Sequence, residues 1–218
     1  MLRFCIALFM TLGLLIVAKS QSAEPLVTNE MLTDLKQQYS PEAYRRGLAL
    51  NKLLDSLKNK PVDIQLKEVN QFFNQFEYAE DIDQWGEKDY WATPEEFIGT
   101  HHGDCEDFVV AKYFSLRKLG VPDNKLYLTY VKALEQNVAH MVLSYFEMPS
   151  SIPLVLDNYN PRILHASKRK DLLPIYSFNA NSLFLSNASA GLGKSLPTSK
   201  IKNSKWQKLL ADLRKENK

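Results

Sequence analysis

The 218 residues are 45% hydrophobic and 24% charged, ordinary values for a globular chain that can bury a sizeable core without a disulfide framework. The formal charge of +2 gives no argument for nucleic-acid binding. In chain order, residues 1–20 stand apart. Arg3 heads an apolar run from Phe4 to Ala18, and Ala18-Lys19-Ser20 and Ser20-Gln21-Ser22 are small-x-small cleavage candidates. The run is short against the ~20 residues of a membrane span. It reads as a secretory signal peptide cleaved near residues 20–23, with a retained anchor as the alternative. Losing Arg3 and Lys19 from the 27 basic residues balances the 25 acidic ones, so the exported chain is neutral. Cys5 leaves as well. Cys105 then stands alone, which is unusual in an oxidising compartment; such a thiol is either inert and buried or reactive and useful.

The folded domain is expected over residues 24–185. Glu24 to Met31 reads as an extended leader. Ser40-Pro41 fits an N-cap and first helical position, opening a helix through about Leu57. Asn59-Lys60-Pro61 breaks it, and a second helix from about Asp63 presents Leu66, Val69, Phe72, Phe73 and Phe76. Glu80 to Tyr90 reads as a surface loop. Thr93-Pro94-Glu95-Glu96 has the pattern of a capping box, with a short helix to about Gly99. Gly103-Asp104-Cys105-Glu106-Asp107 then turns sharply into an apolar-periodic helix that stops at Gly120.

Strand alternation takes over from there. Lys125 to Ala133 and Val138 to Phe146 form a hairpin about Glu135-Gln136-Asn137, followed by strands over Leu154–Asn158 and Ile163–Ala166. Ser167 could cap a helical turn through Leu172, and Ile175 to Leu185 reads as a strand pair. Residues 187–204 are rich in Ser, Gly, Lys and Asn and read as a flexible segment. Residues 205–218 form an amphipathic helix with Trp206, Leu209, Leu210 and Leu213 on one face, which docks on the domain or meets a partner or membrane. Helices followed by an antiparallel meander make an α+β fold.

The chemistry centres on the turn at Cys105. A helix N-terminus favours a thiolate, but Asp104, Glu106 and Asp107 oppose it. A nucleophilic thiol needs a base, and the base needs an orienting group. His140 shares a strand face with Val138 and Val142, and Asp157 closes the next strand; antiparallel pairing beside Cys105 would bring His140 and Asp157 together. Taken singly, each residue has a plainer reading: a packing histidine, a turn aspartate, an N-cap at Asp104, an inert thiol. His101 and His102 with Cys105 could hold zinc, although no CxxC or HExxH pattern accompanies them.

Tyr90-Trp91-Ala92-Thr93-Pro94-Glu95-Glu96-Phe97, Gly103-Asp104-Cys105-Glu106-Asp107-Phe108 and Ala111-Lys112-Tyr113-Phe114 together resemble the bacterial transglutaminase-like cysteine peptidases. Leu119-Gly120, Ala139-His140-Met141-Val142 and Leu156-Asp157-Asn158 extend the resemblance, which runs closely from Tyr78 to Tyr176. It implies a papain-like, transglutaminase-like core with Cys105 as nucleophile, His140 as base and later acid, and Asp157 orienting the imidazole. Trp91 becomes a candidate oxyanion donor beside the backbone N–H of Cys105, with Trp85 as its rival. The resemblance also implies Ca²⁺ on Asp104, Glu106 and Asp107, with carbonyls or waters completing the roughly 6–8 oxygens that ion takes. A periplasmic location follows, with a large biofilm adhesin as substrate, cut near its N-terminus at paired alanines to promote dispersal. The periplasmic domain of an inner-membrane cyclic-di-GMP receptor would sequester the protease. Neither nucleic acid nor stable membrane insertion after signal cleavage is expected. Two other outcomes stay open: acyl transfer to an amine by the same thiol, and a non-enzymatic exported binding module.

Overall fold

The computed structural model describes residues 26–186, 191–196 and 204–216; the signal segment and Cys5 lie outside them. Thr28 accepts the Met31 N–H at 3.1 Å and starts helix α1 (Asn29–Asp34). The stretch expected as an extended leader therefore already turns into helix. A π-helical turn over Leu35–Tyr39 leads to Ser40, whose hydroxyl accepts the Ala43 N–H at 3.0 Å and caps α2 (Pro41–Leu57). α3 (Val62–Phe73) ends at Asn74. A short strand, β1 (Glu77–Tyr78), then runs parallel to β2 (His102–Gly103).

Between those strands lie α4 (Asp81–Trp85) and α5 (Pro94–Thr100), the latter with its capping box complete. The expected surface loop over 80–90 is thus partly helical and partly buried. Asp81 turns inward and accepts the Tyr90 N–H, Trp85 packs on Tyr90 with ring centroids 4.7 Å apart, and Gly86 ends the turn at φ 71°. α6 (Cys105–Lys118) carries the thiol in its first turn.

Seven antiparallel strands form the second layer. β3 (Leu126–Ala133) lies at the centre between β4 (Val138–Tyr145) and β7 (Leu172–Phe178). β5 (Leu154–Leu156) and β6 (Leu164–His165) extend the sheet past β4; β8 (Leu183–Ser186) and β9 (Leu192–Leu196) extend it past β7. Leu126, Leu128, Met141, Leu143 and Tyr145 face α6 and form the main core with Val109, Val110 and Leu116. The opposite face buries its own cluster, Val131, Ala133, Val142, Val155 and Leu172. Around residues 167–172 the expected helical turn is shorter: a 3-10 turn covers Ala166–Lys168, and Leu172 already begins β7.

Within 187–204, read from composition as a flexible segment, Leu192–Leu196 pair with β8 as a strand. Apart from Gly191 and Ser204, the rest of that stretch lies outside the described residues. The last helix, α7 (Ser204–Glu216), docks its apolar face on the domain. Trp206 is fully buried against Tyr113 and Phe114 of α6, Phe178 of β7 and Trp91. Trp206→Ala is therefore expected to cost about 3–5 kcal/mol, the range for truncating a buried aromatic; a denaturant midpoint within error of the parent's would show that this helix is not part of the core.

Candidate active site

Strand pairing, a glycine and a buried carboxylate set the position of the thiol. β1 clamps the turn before it, with Glu77 N–H donating to His101 O and Ala79 N–H to Gly103 O, both at 3.0 Å. Gly103 is needed at that approach because a Cβ there would lie 2.4 Å from Asp107 Oδ2 and 2.9 Å from Phe97. Asp107, fully buried, then holds the turn through both oxygens: Oδ1 accepts Ala92 N–H at 2.8 Å and Oδ2 accepts Asp104 N–H at 3.3 Å. The helix that results points its unpaired N–H groups and positive dipole end at Cys105.

β4 supplies the facing wall. β5 ends at Leu156, opposite Leu143, so β4 has no strand beside it farther along that edge. There the Met141 backbone N–H faces the Cys105 thiol and favours its ionised form. One residue earlier, His140 is buried, and its Nε2 lies 2.8 Å from Asp157 Oδ1. The Asp157 carboxylate is fixed on both oxygens. Tyr159 N–H donates to Oδ1 at 3.0 Å, and Arg169 Nη2 donates to Oδ2 at 2.7 Å. Burial pushes the Asp157 carboxyl up, but the hydrogen bonds and charges of His140 and Arg169 outweigh it and hold the group below its ordinary range. An ionised carboxylate only accepts, so His140 carries its proton on Nε2. Its Nδ1 is buried and has no hydrogen-bond partner among the described residues. Tyr159 stacks on the imidazole at 4.0 Å with the planes 8° apart, and Tyr78 lies 6.3 Å beyond it; both tyrosines are exposed.

A second, acidic centre adjoins the thiol. Asp104, Cys105 and Glu106 form one group able to hold a metal ion, Asp81, Asp104 and Asp107 another, and Asp81, Asp89 and Glu106 a third. Asp81 Oδ1 and Asp104 Oδ1 are buried without a hydrogen-bond partner among the described residues. Burial, then the neighbouring carboxylates Glu106 and Asp107, push Asp104 up to about 11. Burial, then Glu106 and Asp104, push the Cys105 thiol well above its usual range, and its Sγ–H donates to Glu106 Oε2 at 3.1 Å. Such crowding of negative charge at a helix start can be relieved by protonation or by a cation, and a donor set made almost wholly of oxygens suits a hard divalent ion. Zinc through the histidines does not fit: none of these metal-capable groups among the described residues contains one. His102 instead places its ring nitrogens 2.8 Å from Thr100 O and 3.1 Å from Glu77 Oε2, while His101 packs on Phe76.

Asp104, Cys105, Glu106 and Asp107 share the start of α6, while His140 and Asp157 pair with each other on the neighbouring part of the sheet. Trp91 sits in the aromatic core against Phe178 and Trp206, and Trp85 packs on Tyr90; each indole N–H is buried without a partner among the described residues. Sequence reasoning missed Arg169, Asp81 and Asp89. Arg169 is hidden in the run Lys168-Arg169-Lys170, and the two aspartates in a stretch whose acidity looked like solvent exposure.

A thiol at a helix N-terminus, beside a sheet that carries a buried histidine–carboxylate pair, suits a cysteine peptidase. The family of bacterial transglutaminase-like cysteine proteinases (BTLCP) matches residues 51–171, and the chain belongs to it. In particular it is similar to LapG of Legionella pneumophila: 45% identity, TM-score 0.72, covering 86% of this chain and 98% of that one. The calcium-bound form of that protein matches with TM-score 0.72 over 84% of this chain and 98% of that one. Its EGTA-treated form gives 0.73 over 86% and 98%. No curated protein sequence matches. Among the described residues, no helix is long and apolar enough to cross a membrane.

Proposed function

We propose that this chain is a calcium-dependent cysteine endopeptidase of the periplasm. It cleaves a large surface adhesin near its N-terminus, at a di-alanine site, and so releases the adhesin and promotes biofilm dispersal. The observation that carries the peptidase reading is the buried His140–Asp157 pair, with its free Nδ1 on the strand that faces the Cys105 thiol. The substrate, and regulation by sequestration on the periplasmic domain of a cyclic-di-GMP receptor, rest on the family resemblance and the 45% identity to LapG.

In this reading His140 Nδ1 takes the thiol proton, and Cys105 Sγ attacks the scissile carbonyl carbon. The Cys105 backbone N–H meets the resulting oxyanion; one such donor commonly contributes about 10²–10³-fold in rate. Trp91 is the candidate second donor. The imidazolium then protonates the leaving amine, and water, deprotonated by the same Nδ1, releases the acyl group and restores the thiol. Asp157 keeps the ring in the required tautomer throughout. A calcium ion on Asp104, Glu106 and Asp107, with Asp81 alongside, would supply positive charge that relieves the carboxylates opposing the thiolate.

The test uses the N-terminal fragment of a large adhesin from the same genome, incubated with the parent chain and with Cys105→Ala, with and without calcium. Two fragments meeting at the alanine pair are expected from the parent with calcium alone. Cleavage by Cys105→Ala would sink the nucleophile assignment, and a covalent amine adduct in place of fragments would favour acyl transfer.

A further inference from the structure

Lys112 lies in α6 two turns after Cys105 and is fully buried. Its Nζ donates to Asn74 Oδ1 at 2.6 Å, and Asn74 Nδ2 donates to the backbone carbonyl of Asp157 at 2.8 Å. Chemistry fixes the direction of this chain. The Asp157 carbonyl can only accept, so the amide must turn its NH₂ toward it and its oxygen toward Lys112 Nζ. The Phe108 ring centroid lies 5.7 Å from Nζ. Burial pushes the Lys112 amine down to about 7, against the field of Asp157.

Burying a lysine this way is costly, and its stem adds nothing that a methionine of similar volume would not. What the lysine adds is a connection. Cys105 and Lys112 share one rigid helix, whereas Asp157 sits just past β5, on a separate element that pairs only with β4 and β6. The Asp157 carboxylate is already held by His140, Tyr159 N–H and Arg169. Asn74 holds its main chain as well, and ties that main chain to the helix bearing the nucleophile.

We propose that Lys112 and Asn74 are positioning residues, a lysine–amide relay that sets the spacing between the Cys105 helix and the His140–Asp157 pair. The inference rests on the cysteine-peptidase reading above.

Two variants of the full chain test it, with calcium present and the same adhesin fragment as substrate. Lys112→Met removes the donor. Asn74→Asp keeps an acceptor for Lys112, now as an ion pair, but loses the bond to the Asp157 carbonyl. Both should lower kcat by about 10–100-fold, the scale of a misplacement near 1 Å. KM should stay within about twofold, because the loss falls on the transition state. The double variant should be no slower than the slower single one, since each single change already breaks the relay. Thermal midpoints measured beside kcat, at a temperature well below each midpoint, separate slower turnover from unfolding. Parental kcat in Asn74→Asp, or losses that multiply in the double variant, would overturn the relay. A parent chain whose cleavage survives Cys105→Ala would instead overturn the peptidase reading beneath it.

Discussion

Replacing Asp157 with Asn should lower kcat/KM by about 10³–10⁴-fold, the scale seen when the orienting carboxylate of a catalytic histidine is neutralised. The ring geometry explains the size. Asp157 Oδ1 receives the His140 Nε2 proton at 2.8 Å, which leaves the lone pair on Nδ1. An asparagine can turn its NH₂ toward Nε2 and draw the proton over to Nδ1, where the ring can no longer accept from the thiol. The same substitution takes a charge from Arg169, which is buried and whose Nη2 bridges Asp157 Oδ2 at 2.7 Å and Asp171 Oδ2 at 2.6 Å. Breaking a buried ion pair from one side costs about 3–5 kcal/mol. Asp171 remains, so the cost should fall at the lower end and leave the chain folded. Kinetics and a denaturant midpoint measured together separate the two effects. Activity within tenfold of the parent would remove Asp157 from the machinery.

Removing calcium should change both activity and the pH dependence of stability. Without the ion, burial and neighbouring carboxylates raise Asp81 to about 6 and Asp104 to about 11, and Asp107 well above its ordinary value. Folded-state values above the unfolded ones mean that the native chain holds these protons more tightly. The stability they contribute is complete below about pH 4 and drains away as pH rises toward the folded values. The thermal midpoint of EGTA-treated protein should therefore fall from pH 4 to pH 7. Asp157, whose value is lowered, has delivered most of its stability by the start of that window. Lys112, lowered to about 7, contributes its rising term only between there and its ordinary 10.5. At pH 7, calcium at a hundredfold excess over its Kd should restore about 2.7 kcal/mol, or roughly 5–10 °C for a chain of this size. At pH 4 the protonated carboxyls should gain little. Adhesin cleavage should stop in EGTA and return with calcium. A flat midpoint across the window together with undiminished cleavage in EGTA would remove the ion from the mechanism.

Much of this centre was legible before the structure, because its parts are local. Thr93 with Glu96 and the Gly103–Asp107 turn announce themselves through capping and chain reversal; strand alternation allowed His140 and Asp157 to be neighbours, and the family resemblance singled them out. What stayed hidden depends on contacts distant in sequence. Lys112 looks like any polar residue of an amphipathic helix until Asn74, 38 positions earlier, is seen beside it. Arg169 reads as one of three basic residues in a row, yet it is the one that turns inward. Asp81 was hidden by its own surroundings, since an acidic stretch suggests solvent unless a cation gathers it. β9, with Gly193 and Lys194 among five residues, has too weak an alternation to separate it from a linker.

The position of Trp206 couples the order of α7 to that of its neighbours. Its ring touches Tyr113 and Phe114 of α6, Phe178 of β7 and Trp91 at once. Any opening of α7 therefore uncovers the flank of the helix that carries Cys105 together with the Trp91 ring. Amide exchange in α7 should report on the integrity of that shared aromatic wall, because a local opening releases every contact it makes.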